Sequence, residues 1–232
     1  MPGTTLRLGR LGAIAGLIFM TATIAGNAMA DSGDAAGSSA AVALANFRRT
    51  HGLLNHLGTA IEIAGFIAFM FFAGYLYRVL RGSERRDDWL AAPVLITAAA
   101  DVSVKLGSGA ALAAAQFHPA ALTPALAQVL VDLNNGAFVI TGLTMAGFLL
   151  AVSAGGYRSR VLPRTLVWIG IVLGALGLVT PTLGLSDPVN YNPLPYLMSL
   201  LWIAAVSVTR IVRETSARRA VETREGAALV GT

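Results

Sequence analysis

Six stretches of mostly apolar residues run along the chain, separated by short polar or proline-containing segments. A helix needs about 20 apolar residues to cross the hydrocarbon core of a bilayer, so stretches near this length are typical of transmembrane helices. The pattern therefore predicts an all-α fold, a transmembrane helical bundle with six spans. The stretches cover residues 11–30, 53–80, 89–115, 124–154, 165–185 and 196–211.

The first stretch has a second interpretation, a secretory signal peptide. Arg7 and Arg10 precede it, and it closes on Ala28-Met29-Ala30 before a polar segment, which is the layout of a signal with an A-x-A cleavage site. Its length fits a first transmembrane helix equally well, and cleavage would leave five spans. The predicted division is residues 1–30 as signal peptide or first helix, 31–52 as an external linker, 53–212 as a five-helix transmembrane domain and 213–232 as a cytoplasmic tail.

Composition and charge agree with a membrane protein and set its orientation. The chain of 232 residues is 55% hydrophobic and only 12% charged, against about 25% charged in soluble domains. Most of its 17 basic residues fall in the alternate polar segments that share one side of the bilayer, and basic residues in short loops stay cytoplasmic. The sequence thus predicts a multi-pass membrane protein with both termini in the cytoplasm. The net charge of +5 is explained by contact with anionic lipid, so the lipid bilayer is the expected partner and nucleic acid is not.

Four ionisable residues lie inside the predicted spans, where a charged side chain is costly and usually faces a partner or a cavity. They are Glu62, Asp101, Lys105 and Asp132. Each lies on a stripe of polar or small residues at helical spacing, and these stripes are predicted to face protein. With Asn135 they form the predicted buried polar cluster, and the accessory positions are Asn55, Thr59, Thr97 and Gln128.

Spacing and depth predict how this cluster assembles. Asp101 and Lys105 are one helical turn apart and are expected to form an ion pair. Counted inward from the external helix ends, Glu62, Lys105 and Asp132 all lie about 8 to 10 residues deep, so they are expected to meet at one level.

Three functions are compatible with such a cluster. Buried polar groups commonly fix helix register and partner choice, which favours a non-enzymatic membrane component. Intramembrane carboxylates beside a basic residue also recur in proton and solute pathways, so a small proton-linked solute transporter is the alternative. A membrane enzyme is the third interpretation. A homo-oligomer and a membrane protein partner are both open.

The sequence predicts no catalytic residue, no metal and no cofactor. It contains no Cys, which excludes disulfides, thiolate nucleophiles and Cys-ligated metals. It has no phosphate-binding loop and no serine nucleophile motif. His51, His56 and His118 lie near the external helix ends and are weak metal candidates, because His51 and His56 are five residues apart rather than the four that align two ligands on a helix.

Two helix-end segments rich in Arg carry a resemblance to a known group. They are Phe72-Ala73-Gly74-Tyr75-Leu76-Tyr77-Arg78-Val79-Leu80-Arg81 and Arg158-Ser159-Arg160-Val161-Leu162-Pro163-Arg164, the latter running into Trp168-Ile169-Gly170. At these segments the chain resembles multi-pass membrane proteins of unknown function that are common in actinobacteria, over roughly residues 53–212. The resemblance implies a location in the bacterial inner (plasma) membrane and supplies no activity or site residue.

Overall fold

The structure, a computed structural model, describes residues 2–29, 39–49, 53–82, 89–186 and 191–230. Every regular element in this part of the chain is helical, which confirms the predicted all-α class. One short 3-10 turn, Pro119–Ala121, precedes the fifth helix. The seven α-helices are α1 (Pro2–Met29), α2 (Ala40–Arg49), α3 (Leu53–Arg81), α4 (Ala91–Phe117), α5 (Pro124–Ser159), α6 (Arg164–Ser186) and α7 (Leu194–Val230).

Six of these helices, α1 and α3 to α7, are long and apolar enough to cross a membrane, which confirms the six predicted spans. The chain is therefore a multi-pass membrane protein. Two of the six helices are longer than a bilayer requires. α5 has 36 residues and α7 has 37, whereas about 20 residues cross the hydrocarbon core. The last span continues as one helix through most of the predicted tail.

Helix α2 lies within residues 31–52, which the sequence predicts to be a linker. Its apolar side buries Ala43, Leu44 and Phe47 against residues of α4, α5 and the turn between them. The helix has only 10 residues, too few to cross a bilayer, so a search for apolar stretches of about 20 residues does not reveal it. The predicted linker therefore carries a helix that packs on the bundle.

The six spanning helices form a closed ring. Each contacts its neighbours in the order α1, α3, α4, α5, α6, α7, and α7 contacts α1 again. α5 lies toward the interior, since it also touches α3 and α7 and is the most buried of the six. α1, the segment with the signal-peptide alternative, completes the ring in this structure.

The two ends of the bundle differ in charge. The arginine-rich end is the end at which α1, α4 and α6 begin and α3, α5 and the span of α7 finish. The opposite end carries α2, with Arg48 and Arg49 in its last turn. The described basic residues at the arginine-rich end are Arg10, Arg78, Arg81, Arg158, Arg160, Arg164, Arg210 and Arg213.

Four phenylalanines form the centre of the hydrophobic core. Phe19, Phe69, Phe72 and Phe148 are fully buried and come from α1, α3 and α5. The Phe19 and Phe69 rings stack with centroids 4.5 Å apart, and the Phe148 ring meets Phe69 edge-on at 4.9 Å. Offset and edge-on pairs are the favoured aromatic arrangements. We call these four residues the aromatic layer, which fills the bundle interior between the arginine-rich end and the opposite end.

Glycines allow the helices of the ring to approach closely. A Cβ placed on Gly16 of α1 would lie 2.9 Å from the Phe72 ring and nearer still to the Ser207 hydroxyl. A Cβ on Gly170 of α6 would lie 2.9 Å from the Trp202 ring. Small residues at such contacts are how helices gain van der Waals packing in lipid, where no hydrophobic force drives them together.

A network of polar side chains joins helices at the arginine-rich end. Arg210 of α7 donates from Nε to the Tyr75 hydroxyl at 2.8 Å and from Nη2 to Glu214 Oε1 at 3.3 Å. The Tyr75 hydroxyl in turn donates to Glu214 Oε1 at 2.9 Å. Arg210 Nη1 also donates to the Val161 carbonyl in the α5–α6 turn. We call Tyr75, Arg210, Glu214 and the Val161 carbonyl the Arg210 clamp, which joins α3, α7 and that turn.

Candidate ligand cavity

A cavity of about 300 Å³ lies between the aromatic layer and the opposite end of the bundle. Residues of α1 to α5 line it, and α2 contributes Phe47. Eight lining residues are polar or charged and nine are apolar or glycine, so the wall is mixed in character. The polar ones are Asn27, Asn55, Thr59, Glu62, Lys105, Ser108, Asn134 and Asn135.

An ion pair between α3 and α4 lies in the cavity wall. Lys105 Nζ is 3.9 Å from Glu62 Oε1, and the two side chains are 12% and 21% exposed. Asn27 of α1 donates from Nδ2 to the same Glu62 oxygen at 3.3 Å. Lys105 Nζ also lies 5.1 Å from the centroid of the Phe138 ring, within cation–π range. Three helices and an aromatic ring of a fourth therefore position the only charged side chains found among the described lining residues.

Lys105 thus pairs with Glu62. The ion pair between Asp101 and Lys105 that the one-turn spacing predicts is not found among the described residues. Asp101 lies one turn nearer the arginine-rich end and is fully buried. Its Oδ1 accepts a hydrogen bond from Thr144 Oγ1 at 2.7 Å, while Oδ2 has no hydrogen-bond partner among the described residues.

Side-chain amides surround the ion pair and are only partly used. Asn135 Nδ2 is buried and finds no hydrogen-bond partner in the described part of the chain. Thr59 donates to the backbone carbonyl of Asn55, and both residues line the cavity. A buried donor without a partner costs about 1–3 kcal/mol, so such amides are groups that a ligand or a water would satisfy.

Asp132 and Gln128 do not join the cavity. Asp132 is exposed and accepts a hydrogen bond from Gln128 Nε2 at 2.9 Å. At about 100° per residue, the lining residues Val131, Asn134 and Asn135 share one arc of α5, and Asp132 lies beyond its edge. The predicted meeting of Glu62, Lys105 and Asp132 at one level is therefore not what the structure has.

Helix length explains the difference in depth. Trp89 and Tyr157, exposed aromatic residues near the arginine-rich end, mark the usual membrane interface. At about 1.5 Å per residue, Lys105 lies about 24 Å from Trp89, whereas Asp132 lies about 37 Å from Tyr157. Only the Lys105 distance is shorter than the thickness of a hydrocarbon core, about 30 Å. The first turns of α5 would then lie beyond a core of that thickness, where an exposed carboxylate is solvated.

The other predicted positions fall outside the cavity. Thr97 donates to the Pro93 carbonyl of its own helix and packs against Gly147. His56 and His118 are exposed, and His51 lies outside the described residues. Among the residues that the structure describes, no group of three or more His, Asp and Glu side chains could hold a metal ion.

Two lining amides and one deeper hydroxyl are not predicted by the sequence. Asn27 belongs to the stretch that also fits a signal peptide. Asn134 lies next to Asn135 in the sequence but is not part of the polar stripe that contains Asn135. Thr144 is indistinguishable from other span hydroxyls until Asp101 is seen beside it. The sequence signal for Asn27 is that it is an amide side chain near the C-terminal end of the first span.

Tyr191 lies between the helices near the opposite end, outside the spans. Its ring meets Phe138 edge-on at 5.7 Å and packs against Gly142 and Gly184. Burial raises the pKa of the Tyr191 hydroxyl above its ordinary value, because a phenolate is poorly solvated there. The side chain therefore fills the α5–α6–α7 side of the bundle as a neutral group.

None of the known family models, curated proteins or solved structures matches this chain. The function is therefore argued from the cavity itself.

Proposed function

We propose that the protein is a non-enzymatic component of the bacterial inner membrane that binds a small amphiphilic molecule in the cavity. The observation that carries this proposal is the cavity of about 300 Å³, whose wall mixes apolar side chains with a charged pair and amides. Small-molecule sites are clefts of about 300–1,000 Å³ with mostly apolar walls and a few placed polar groups. A cluster that served only to hold helices together needs no such space.

The charge difference between the ends supports an orientation. Basic residues close to the spans are retained in the cytoplasm, and the arginine-rich end holds most of those that the structure describes. We place the arginine-rich end and both termini in the cytoplasm. The cavity then opens toward the outer side of the membrane, with α2 beside it.

Proton-linked solute transport is the second candidate, and Asp101 is the observation that favours it. The carboxyl is fully buried one turn below the ion pair, and Oδ2 has no hydrogen-bond partner among the described residues. Buried carboxylates beside a basic residue recur in proton relays. Transport also requires a path through the aromatic layer, which is closed in this structure. Proton uptake by proteoliposomes along a solute gradient, abolished in Asp101→Asn, would favour this candidate over binding alone.

Cysteine labelling tests the proposed binding site, because the chain has no Cys of its own. Thr59→Cys and Asn134→Cys place a thiol in the cavity wall. Ser153→Cys and Ser207→Cys are matched controls, since both serines are fully buried in the core. Spheroplasts and inverted membrane vesicles that contain each variant are treated with a small membrane-impermeant methanethiosulfonate reagent, which reaches the outer side in the first and the cytoplasmic side in the second.

We expect both cavity cysteines to react from the outer side and both core cysteines to stay unmodified until the protein is unfolded. Equal protection of all four positions in folded protein would contradict the proposal, because a ligand cannot enter a site that a small reagent does not reach. Reaction of the cavity cysteines only from the cytoplasmic side would contradict the orientation.

A further inference from the structure

Resting on the proposed function, we propose that the ligand is a small zwitterion, with an ammonium group and an oxyanion at one end of an apolar body, held across the Glu62–Lys105 pair. The proposal goes beyond the existence of a site because it names the charges that the ligand must carry.

The first argument is charge balance. Glu62 and Lys105 are the charged residues among the described lining residues, and their charges cancel. A ligand with a net charge would bring an uncompensated charge into a low-dielectric site, which is expensive. A ligand with both charges, or with none, keeps the cavity neutral.

The second argument is the geometry of the pair. Charge-assisted hydrogen bonds are about 2.7–2.9 Å long, whereas Lys105 Nζ and Glu62 Oε1 are 3.9 Å apart. The pair is therefore not closed into a tight contact. A ligand ammonium can donate to Glu62 while a ligand oxyanion accepts from Lys105, which gives each charge a close partner.

The third argument is the division of the wall. Asn27 already donates to Glu62 from α1, and the Asn135 amide, which has no hydrogen-bond partner among the described residues, is a further donor in the same wall. Ile63, Phe66 and Leu106 supply apolar surface to the cavity. A ligand with charges at one end and hydrocarbon at the other matches this arrangement, whereas a fully polar zwitterion leaves the apolar wall uncovered.

This chemistry has two sources in a bacterial membrane. One is a free solute such as an α-amino acid with an apolar side chain. The other is the headgroup of an ethanolamine phospholipid, which carries an ammonium and a phosphate on an apolar body. The volume of about 300 Å³ accommodates the solute or the headgroup.

Three compounds with one hydrocarbon body provide the probes. Leucine is the zwitterion, 3-methylbutylamine lacks its carboxylate, and 4-methylpentanoate lacks its ammonium. Binding is measured by calorimetry at pH 7 on the full chain in maltoside detergent, because a zwitterionic detergent would compete. Loss of one charge-assisted hydrogen bond in a buried site is expected to weaken binding about tenfold or more. Leucine should therefore bind at least about tenfold more tightly than either analogue.

Single substitutions should invert this preference. Glu62→Gln leaves Lys105 as the cavity charge, so the acid becomes the preferred probe. Lys105→Gln leaves Glu62, so the amine becomes preferred. Asp132→Asn is the matched control, since it removes a carboxylate that lies outside the cavity, and it should leave the order of affinities unchanged. The inversion does not depend on absolute affinity, so a modest loss of stability does not obscure it.

Equal binding of leucine and either analogue, or a preference that both variants retain, would overturn the inference. Reactive cavity cysteines with no preference for leucine would leave the proposed function standing and remove only the zwitterion. Unreactive cavity cysteines would remove both. In phosphatidylglycerol nanodiscs, competition by added phosphatidylethanolamine would assign the bound zwitterion to the lipid, and undiminished leucine binding would assign it to the free solute.

Discussion

Replacing Arg210 by Met should destabilise the bundle more than any exposed arginine substitution, because it dismantles the Arg210 clamp. The guanidinium makes one short hydrogen bond, to Tyr75 at 2.8 Å, and two longer ones, to Glu214 at 3.3 Å and to the Val161 carbonyl at 3.4 Å. Methionine preserves much of the side-chain volume, so the loss is electrostatic rather than a packing defect.

The magnitude follows from what the substitution leaves behind. Removing one partner of a fully buried ion pair costs about 3–5 kcal/mol. The Glu214 side chain is 14% exposed, so water relieves part of that cost and we expect about 2–4 kcal/mol. Tyr75→Phe loses the hydroxyl that accepts from Arg210 and donates to Glu214, which should cost about 1–2 kcal/mol.

The assay is the free energy of unfolding from an SDS titration in mixed micelles, followed by circular dichroism. Arg158→Met is the control, because Arg158 is exposed at the same end and should change stability by no more than about 0.5 kcal/mol. The double variant with Tyr75→Phe should cost less than the sum of the single variants, since the two side chains share Glu214. Equal effects of Arg210→Met and Arg158→Met, or strict additivity in the double variant, would refute the clamp.

Three further predictions concern the ring and its ends. Gly16→Leu should prevent α1 from packing, because even a Cβ would meet Phe72 at 2.9 Å, while Gly74→Leu should be tolerated because a Cβ there meets nothing within 4 Å; the yield of monodisperse protein in detergent compares the two. Phe148→Ala should lower the free energy of unfolding by about 3–5 kcal/mol, measured by the same SDS titration, and a loss as small as that of a lipid-facing substitution would count against the aromatic layer. A fluorescent protein fused after Thr232 should fold in the cytoplasm, whereas an alkaline phosphatase fusion there should be inactive; the reverse would invalidate the proposed orientation.

The spans are predictable because insertion into lipid is governed by length and hydropathy, which are properties of one segment at a time. The positions of Glu62 and Lys105 toward the protein interior follow from the same logic, since a charge in a span must avoid hydrocarbon. Their pairing with each other depends on the relative heights of α3 and α4. No pattern within either helix contains that information.

Asp132 shows where the assumption of a uniform depth fails. The expectation that it lies level with Lys105 counts residues from the outer helix ends. α5 is 36 residues long, far more than the roughly 20 residues that cross the hydrocarbon core, so a count that starts at its first residue starts too early. Measured from the aromatic residues at the other end, the depths of the two residues differ by more than 10 Å, on a rise of about 1.5 Å per residue.

The Arg210 clamp is invisible in the sequence for a different reason. Arg210 is one of many basic residues at the arginine-rich end, and the positive-inside rule accounts for all of them equally. What distinguishes Arg210 is the Tyr75 hydroxyl, from a helix more than a hundred positions away. Contacts of this range require the assembled bundle.

The closure of the ring by the first and last spans has a consequence for biogenesis. Spans enter the membrane in chain order during synthesis, so α1 can associate with α3 early, and all the walls of the cavity exist once α5 has been inserted. The other neighbour of α1, and Arg210 itself, arrive only with the final span. The nascent protein therefore assembles its pocket first and is joined at its arginine-rich end last, and a chain truncated before α7 would retain the pocket walls in an open ring.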